Sequence, residues 1–132
     1  MLNMIIVDDN KAERQQLLNY VQRYCAQKGL LAETALCADW PALFQKVKQN
    51  EPDIVIIAQN GVAGLDTITS VNLLTNRIIW FSDLDFGLQA YRLCIAYFCQ
   101  KPLTYPKIER ALTHCLNPTA PPQKEDTHDT DF

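Results

Sequence analysis

Met4-Ile5-Ile6-Val7-Asp8 and Asp53-Ile54-Val55-Ile56-Ile57-Ala58 are short, unbroken apolar runs rich in β-branched residues. Both are too short for a helix, so each reads as a strand buried on two faces. After the first run, Asn10 can cap a helix. Leu17, Leu18, Val21, Tyr24 and Cys25 then recur at helical spacing through a polar stretch that Gly29 ends. Residues 31–37 read as a further strand. Asp39 starts a helix with Pro41 in its first turn and Leu43, Phe44 and Val47 on its apolar face, and Glu51-Pro52 ends it. Beyond Ala58 the glycines Gly61 and Gly64 predict a loop, followed by a helix over 66–75. Arg77–Ser82 reads as a strand, residues 85–93 as a short helix, and Ala96–Cys99 as a last strand closed by Pro102. Thr104 caps a final helix carrying Ile108, Ala111, Leu112 and Cys115. Strand and helix alternate five times. That pattern predicts an α/β, doubly wound, five-stranded parallel sheet covered on both sides.

One domain fits 132 residues. No apolar run approaches the roughly 20 residues of a bilayer span, and Met1-Leu2-Asn3-Met4 lacks a basic leader. A soluble, cytoplasmic protein is expected. The five cysteines, Cys25, Cys37, Cys94, Cys99 and Cys115, form no CxxC pair and are odd in number. Buried reduced thiols are expected rather than disulfides or a metal site. His114 and His128 have no partners at ligand spacing. In residues 117–132, Lys124 is set against Glu125, Asp126, Asp129 and Asp131, so this stretch carries the whole net charge of −3. It reads as a flexible acidic tail or the start of a linker. The neutral remainder, residues 1–116, offers no electrostatic footprint for nucleic acid.

In an open parallel sheet the functional site lies at the carboxyl ends of the strands. The first predicted strand ends in Asp8-Asp9. The third ends in Ala58, followed by Gln59 and Asn60. The fourth ends in Ser82, and the fifth runs into Lys101-Pro102. Adjacent carboxylates can hold a hard cation such as Mg²⁺, with a backbone carbonyl near Asn60 as a further ligand. A hydroxyl and an ammonium can bind phosphoryl oxygens. Taken singly, these residues also have ordinary uses: the two aspartates can cap a helix, Lys101 can be a solvated strand-end lysine, and Ser82 a polar strand terminus. Trp40 is expected to pack at a helix start and Trp80 to be buried in its strand.

Ile5-Ile6-Val7-Asp8-Asp9-Asn10, Pro52 to Ile57, Ile78 to Ser82 and Lys101-Pro102 together resemble the receiver domains of two-component response regulators (CheY-like), over roughly residues 3–116. The stretch from Gly87 to Leu103 is similar to receivers that precede LytTR-type DNA-binding domains. The resemblance implies a flavodoxin-like (βα)5 fold with strand order 2-1-3-4-5. It implies a cation site at Asp8, Asp9 and the Asn60 backbone, a phosphate pocket at Ser82 and Lys101, and a switch aromatic at Phe98. The face formed by the fourth helix, fifth strand and last helix, with Tyr91, Arg92, Tyr97, Tyr105, Lys107 and Arg110, would dimerise or bind a protein partner.

The chain departs from the family at its centre. The family's phosphate-accepting aspartate is replaced by Ala58, whose methyl group has no nucleophilic oxygen. A Mg²⁺ site lacking that carboxylate would be weak, and Lys101 could turn to Asp8 or Asp9. Gly61-Val62-Ala63-Gly64 replaces the usual Met-Pro-Gly pattern. Two readings follow. One is a receiver that works without phosphorylation, by protein–protein contact. The other is a true phosphoacceptor receiver, partnered by a histidine kinase, whose aspartate has been replaced and which forms the N-terminal part of a transcription regulator. Neither is an enzyme. There is no Gly-rich phosphate loop and no Cys-His or Ser-His pairing.

Overall fold

The computed structural model describes residues 1–72, 75 and 77–117. The element order is β1 (Leu2–Val7), α1 (Lys11–Lys28), β2 (Ala32–Cys37), α2 (Trp40–Gln49), β3 (Ile54–Ile57), α3 (Gly61–Val71), β4 (Ile78–Ser82), α4 (Gly87–Arg92), β5 (Tyr97–Gln100) and α5 (Tyr105–Leu116). All pairings are parallel, and the strands lie in the order β2-β1-β3-β4-β5. This is the expected doubly wound, flavodoxin-like sheet.

Alternation along each strand divides the core into two layers. Met4, Ile6, Ile54, Ile56, Ala58, Ile79, Phe81 and Cys99 face one side and pack on α1 and α5. Ile5, Val7, Val55, Ile57, Ile78, Trp80 and Phe98 face the other and pack on residues of α2, α3 and α4. β3 is wholly buried because it lies mid-sheet with helices on both sides. That environment is what an unbroken Ile-Val-Ile-Ile run demands.

The helix ends follow local chemistry. Asn10 accepts from the Glu13 N–H at 3.0 Å, Asp39 from Ala42 at 3.0 Å, and Thr104 from Lys107 at 3.4 Å. Gly29 takes the left-handed conformation that closes α1. Trp40 opens α2 against Phe44, and Trp80 is fully buried.

Several expectations need correction. β1 starts at Leu2, whose N–H bonds Leu31, rather than at Met4. The loop expected at Gly61 and Gly64 is instead the start of α3. Gly64 is buried against the preceding turn, and a Cβ there would sit 2.2 Å from the Gln59 carbonyl oxygen. That glycine therefore marks close packing rather than a loop. The helix also ends at Val71, short of the predicted residue 75. Four cysteines are buried, but Cys94 is exposed. Among the described residues no helix is long and apolar enough to cross a membrane. The acidic stretch after Asn117 lies outside the described residues.

Candidate functional site

The carboxyl ends of β1, β3, β4 and β5 meet at one edge of the sheet. Ala58 N–H bonds the Val7 carbonyl at 2.8 Å, and Lys101 N–H bonds the Ser82 carbonyl at 2.8 Å. These two links fix the height of each residue relative to its neighbours. The Lys101-Pro102 peptide is cis.

Lys101 organises the site. Its Nζ donates to the Ala58 carbonyl oxygen at 2.6 Å, to Asn60 Oδ1 at 2.6 Å and to Glu13 Oε1 at 2.5 Å. An ammonium has three protons, so these three acceptors saturate it. The ion pair is largely shielded from solvent, with side-chain exposures of 9% for Lys101 and 24% for Glu13. The expected pairing with Asp8 or Asp9 is not what forms. Glu13 reaches in from the first turn of α1 and takes the lysine instead.

Asp8 is only 1% exposed. Its Oδ1 accepts from the Asn10 N–H at 2.9 Å, and its backbone carbonyl accepts from Arg14 Nη1 at 2.7 Å. Its Oδ2 is buried with no donor among the described residues. Burial, and then the Glu13 carboxyl beside it, push the Asp8 carboxyl up to about 7. The Asn10 bond and the Lys101 charge oppose this and lose. When both carboxyls are ionised neither can donate; a proton on Asp8 would let it donate toward Glu13. Asp9 is exposed at the end of the strand.

Ser82 is buried. Its hydroxyl donates to Asp83 Oδ1 at 3.3 Å and accepts from the Leu84 N–H at 3.2 Å. It is engaged with its own turn, not with Lys101. Gln59 is buried too, and its Oε1 accepts from the Thr67 hydroxyl at 2.6 Å. Phe98 points into the core, edge-on to Trp80 with ring centroids 5.2 Å apart.

The donors present fit a divalent cation poorly. Ala58 offers only its carbonyl, which Lys101 takes, and the Asn60 carbonyl accepts from Gly64 N–H at 3.4 Å. Glu13 is tied to Lys101. Among the described residues no group of three acidic, histidine or cysteine side chains is placed to hold a metal.

The residues expected at a partner surface divide. Tyr91 and Arg92 are exposed on α4, and Tyr97 is half-buried on β5 against the His114 ring. Tyr105 instead faces α1. Its ring packs on Tyr20 and under Arg23, and its hydroxyl donates to Gln27 Oε1 at 2.8 Å. Lys107 Nζ is spent on the Gln100 and Pro102 carbonyls, at 2.9 and 3.0 Å. Arg110 is half-buried on α5.

The closest-range chemistry thus involves Glu13 and Asp83, which strand-end reasoning passed over. Asn10 and Glu13 stand at capping-box spacing, a hint that the Glu13 side chain folds toward the strand ends. Asp83 directly follows Ser82 at the end of β4.

No family model and no curated protein matches the sequence. Solved structures do match in shape. A response regulator receiver domain protein from Clostridium thermocellum superposes with a TM-score of 0.72 at 16% identity, covering 90% of this chain and 97% of that one. A two-component response regulator from Clostridium difficile gives 0.73 at 16% identity, over 92% and 100%. The chemotaxis response regulator CheY4 of Vibrio cholerae gives 0.66 at 17% identity, over 87% and 98%. The fold is that of response-regulator receiver domains. At these identities the shared property is the receiver fold, and the chemistry of this chain rests on its own residues.

Proposed function

We propose that this chain is a cytoplasmic signalling module of the receiver type that works without phosphorylation, by contact with another protein or a second copy of itself. What carries the reading is the side chain at the end of β3. Ala58 is fully buried and has no oxygen to accept a phosphoryl group. The lysine that would neutralise that group is already saturated by Glu13, Asn60 and the Ala58 carbonyl. The module signals rather than catalyses. Any Mg²⁺ bound at Asp8 and Asp9 is weakly held. The α4–β5–α5 face is the candidate contact surface, because Leu88 and Tyr91 are 58% and 80% exposed on α4.

A second reading is favoured by the grouping of Asp8, Ser82 and Lys101 around Ala58. In it the parent is a phosphoacceptor receiver, served by a histidine kinase and leading into a transcription regulator. Incubation with a small phosphodonor and Mg²⁺, scored by intact mass, separates the two. The chain as it stands is expected to remain unlabelled, and so is Ala58→Asp. Labelling of Ala58→Asp alone supports the second reading. Labelling of the unchanged chain would defeat the proposal.

A further inference from the structure

Asn60 stands at the N-cap of α3 but does not cap it, since its side chain is turned to Lys101. The first N–H of the helix, that of Gly61, is taken by Asp83 Oδ1 at 2.9 Å, from across the sheet edge. The same oxygen accepts from the Ser82 hydroxyl at 3.3 Å. The backbone carbonyl of Asp83 accepts from Gln100 Nε2 at 3.0 Å. One residue therefore joins the start of α3, the turn after β4 and the end of β5. A hydroxyl and a helix-start N–H converging on one point form a donor set for an anion. Here the chain supplies that anion from its own sequence.

We propose that Asp83, exposed at the sheet edge, is a built-in ligand of this donor set, a lock that pins the β4–α4 turn to the N-terminus of α3 without any covalent modification. The lock reaches α4 through a short path. Phe86, three residues on, stacks on Trp80 with centroids 5.0 Å apart and planes 15° apart, and α4 begins at Gly87. Holding Asp83 holds the entry to the helix that carries Leu88 and Tyr91. The inference deepens the phosphorylation-independent reading and rests on it for its purpose, not for its geometry.

Amide hydrogen exchange of the full chain, resolved by residue, tests it. In Asp83→Ala the Gly61, Leu84 and Gly87 amides are expected to exchange at least about tenfold faster together, while Ile56 and Ile57 keep their protection. Asp83→Asn retains an acceptor oxygen without the charge, so a smaller rise, about threefold, is expected. Unchanged Gly61 exchange in Asp83→Ala overturns the proposal. So does a rise at Gly61 that leaves Leu84 and Gly87 untouched, which would mean a cap and no lock. If Asp83→Ala loses its core protection, Asp83→Asn decides alone, and no rise at Gly61 there is equally fatal. Phosphodonor labelling of the unchanged chain would sink the functional reading while leaving the exchange result standing.

Discussion

Replacing Asp8 by Asn should stabilise the protein in a pH-dependent way. The Asp8 carboxyl is pushed from its ordinary 3.8 to about 7, chiefly by burial and then by the Glu13 carboxyl. Between those values the folded chain keeps a proton that the unfolded chain has released. Folding stability therefore falls as pH rises from about 4 to about 7, and flattens above. The interval from 3.8 to about 7 corresponds to a ceiling of about 4 kcal/mol at pH 8. About 2 kcal/mol of that accrues between pH 5 and pH 7. Asn keeps an oxygen for the Asn10 N–H, gains an N–H for the Glu13 carboxyl and does not titrate. The assay is urea unfolding of both proteins across pH 5 to 8, with chelator present so that no cation sits on Asp8. The stability difference, which cancels every titration the two share, should move in favour of Asp8→Asn by about 2 kcal/mol between pH 5 and 7. A difference that stays flat would refute the reasoning. One that moves toward Asp8 would show that its carboxylate is favourably paired.

Three further outcomes are expected. Gly64→Ala should cost more than about 2 kcal/mol in urea unfolding, because its Cβ would sit 2.2 Å from a backbone oxygen. Gly61→Ala should cost only about 1 kcal/mol, since its φ of 60° is strained for alanine but nothing lies within 4 Å. If the contact surface is a self-association face, light scattering at high concentration should show dimer that Leu88→Ala and Tyr91→Ala abolish. A strict monomer in the unchanged protein leaves only a different partner.

The sheet was legible because buried parallel strands need continuous apolar runs, and Ile54–Ile57 or Ile78–Phe81 can hardly be anything else. The start of α3 was misread because glycine has two causes. At Gly61 it serves a positive φ, and at Gly64 it makes room for a carbonyl. Composition cannot separate these, since only the second depends on a neighbour in space. The strand-end residues were legible as a set because topology alone brings them to one edge. Their partners were not. Glu13 and Asp83 are charged residues of helix start and turn, where a solvated side chain is the usual reading. Tyr105 sits in the first turn of α5, and nothing in its spacing says that Arg23 and Gln27 of α1 lie opposite.

With alanine at position 58, the Lys101 ammonium loses the carboxylate that the end of β3 could have offered, and a shielded charge must be paired. Glu13 supplies the pair. Its carboxyl lies beside Asp8, adding to the burial that chiefly raises that carboxyl's pKa. Asn60 is drawn to the same ammonium, so α3 loses its local cap and Asp83 provides one from the next turn. Restoring aspartate at 58 alone is therefore expected not to restore an acceptor site. It adds a carboxyl next to an ammonium whose three protons are already taken, so charge repulsion from its neighbours opposes its ionisation. That is why Ala58→Asp is expected to resist a phosphodonor at neutral pH even though Asp8, Ser82 and Lys101 are retained.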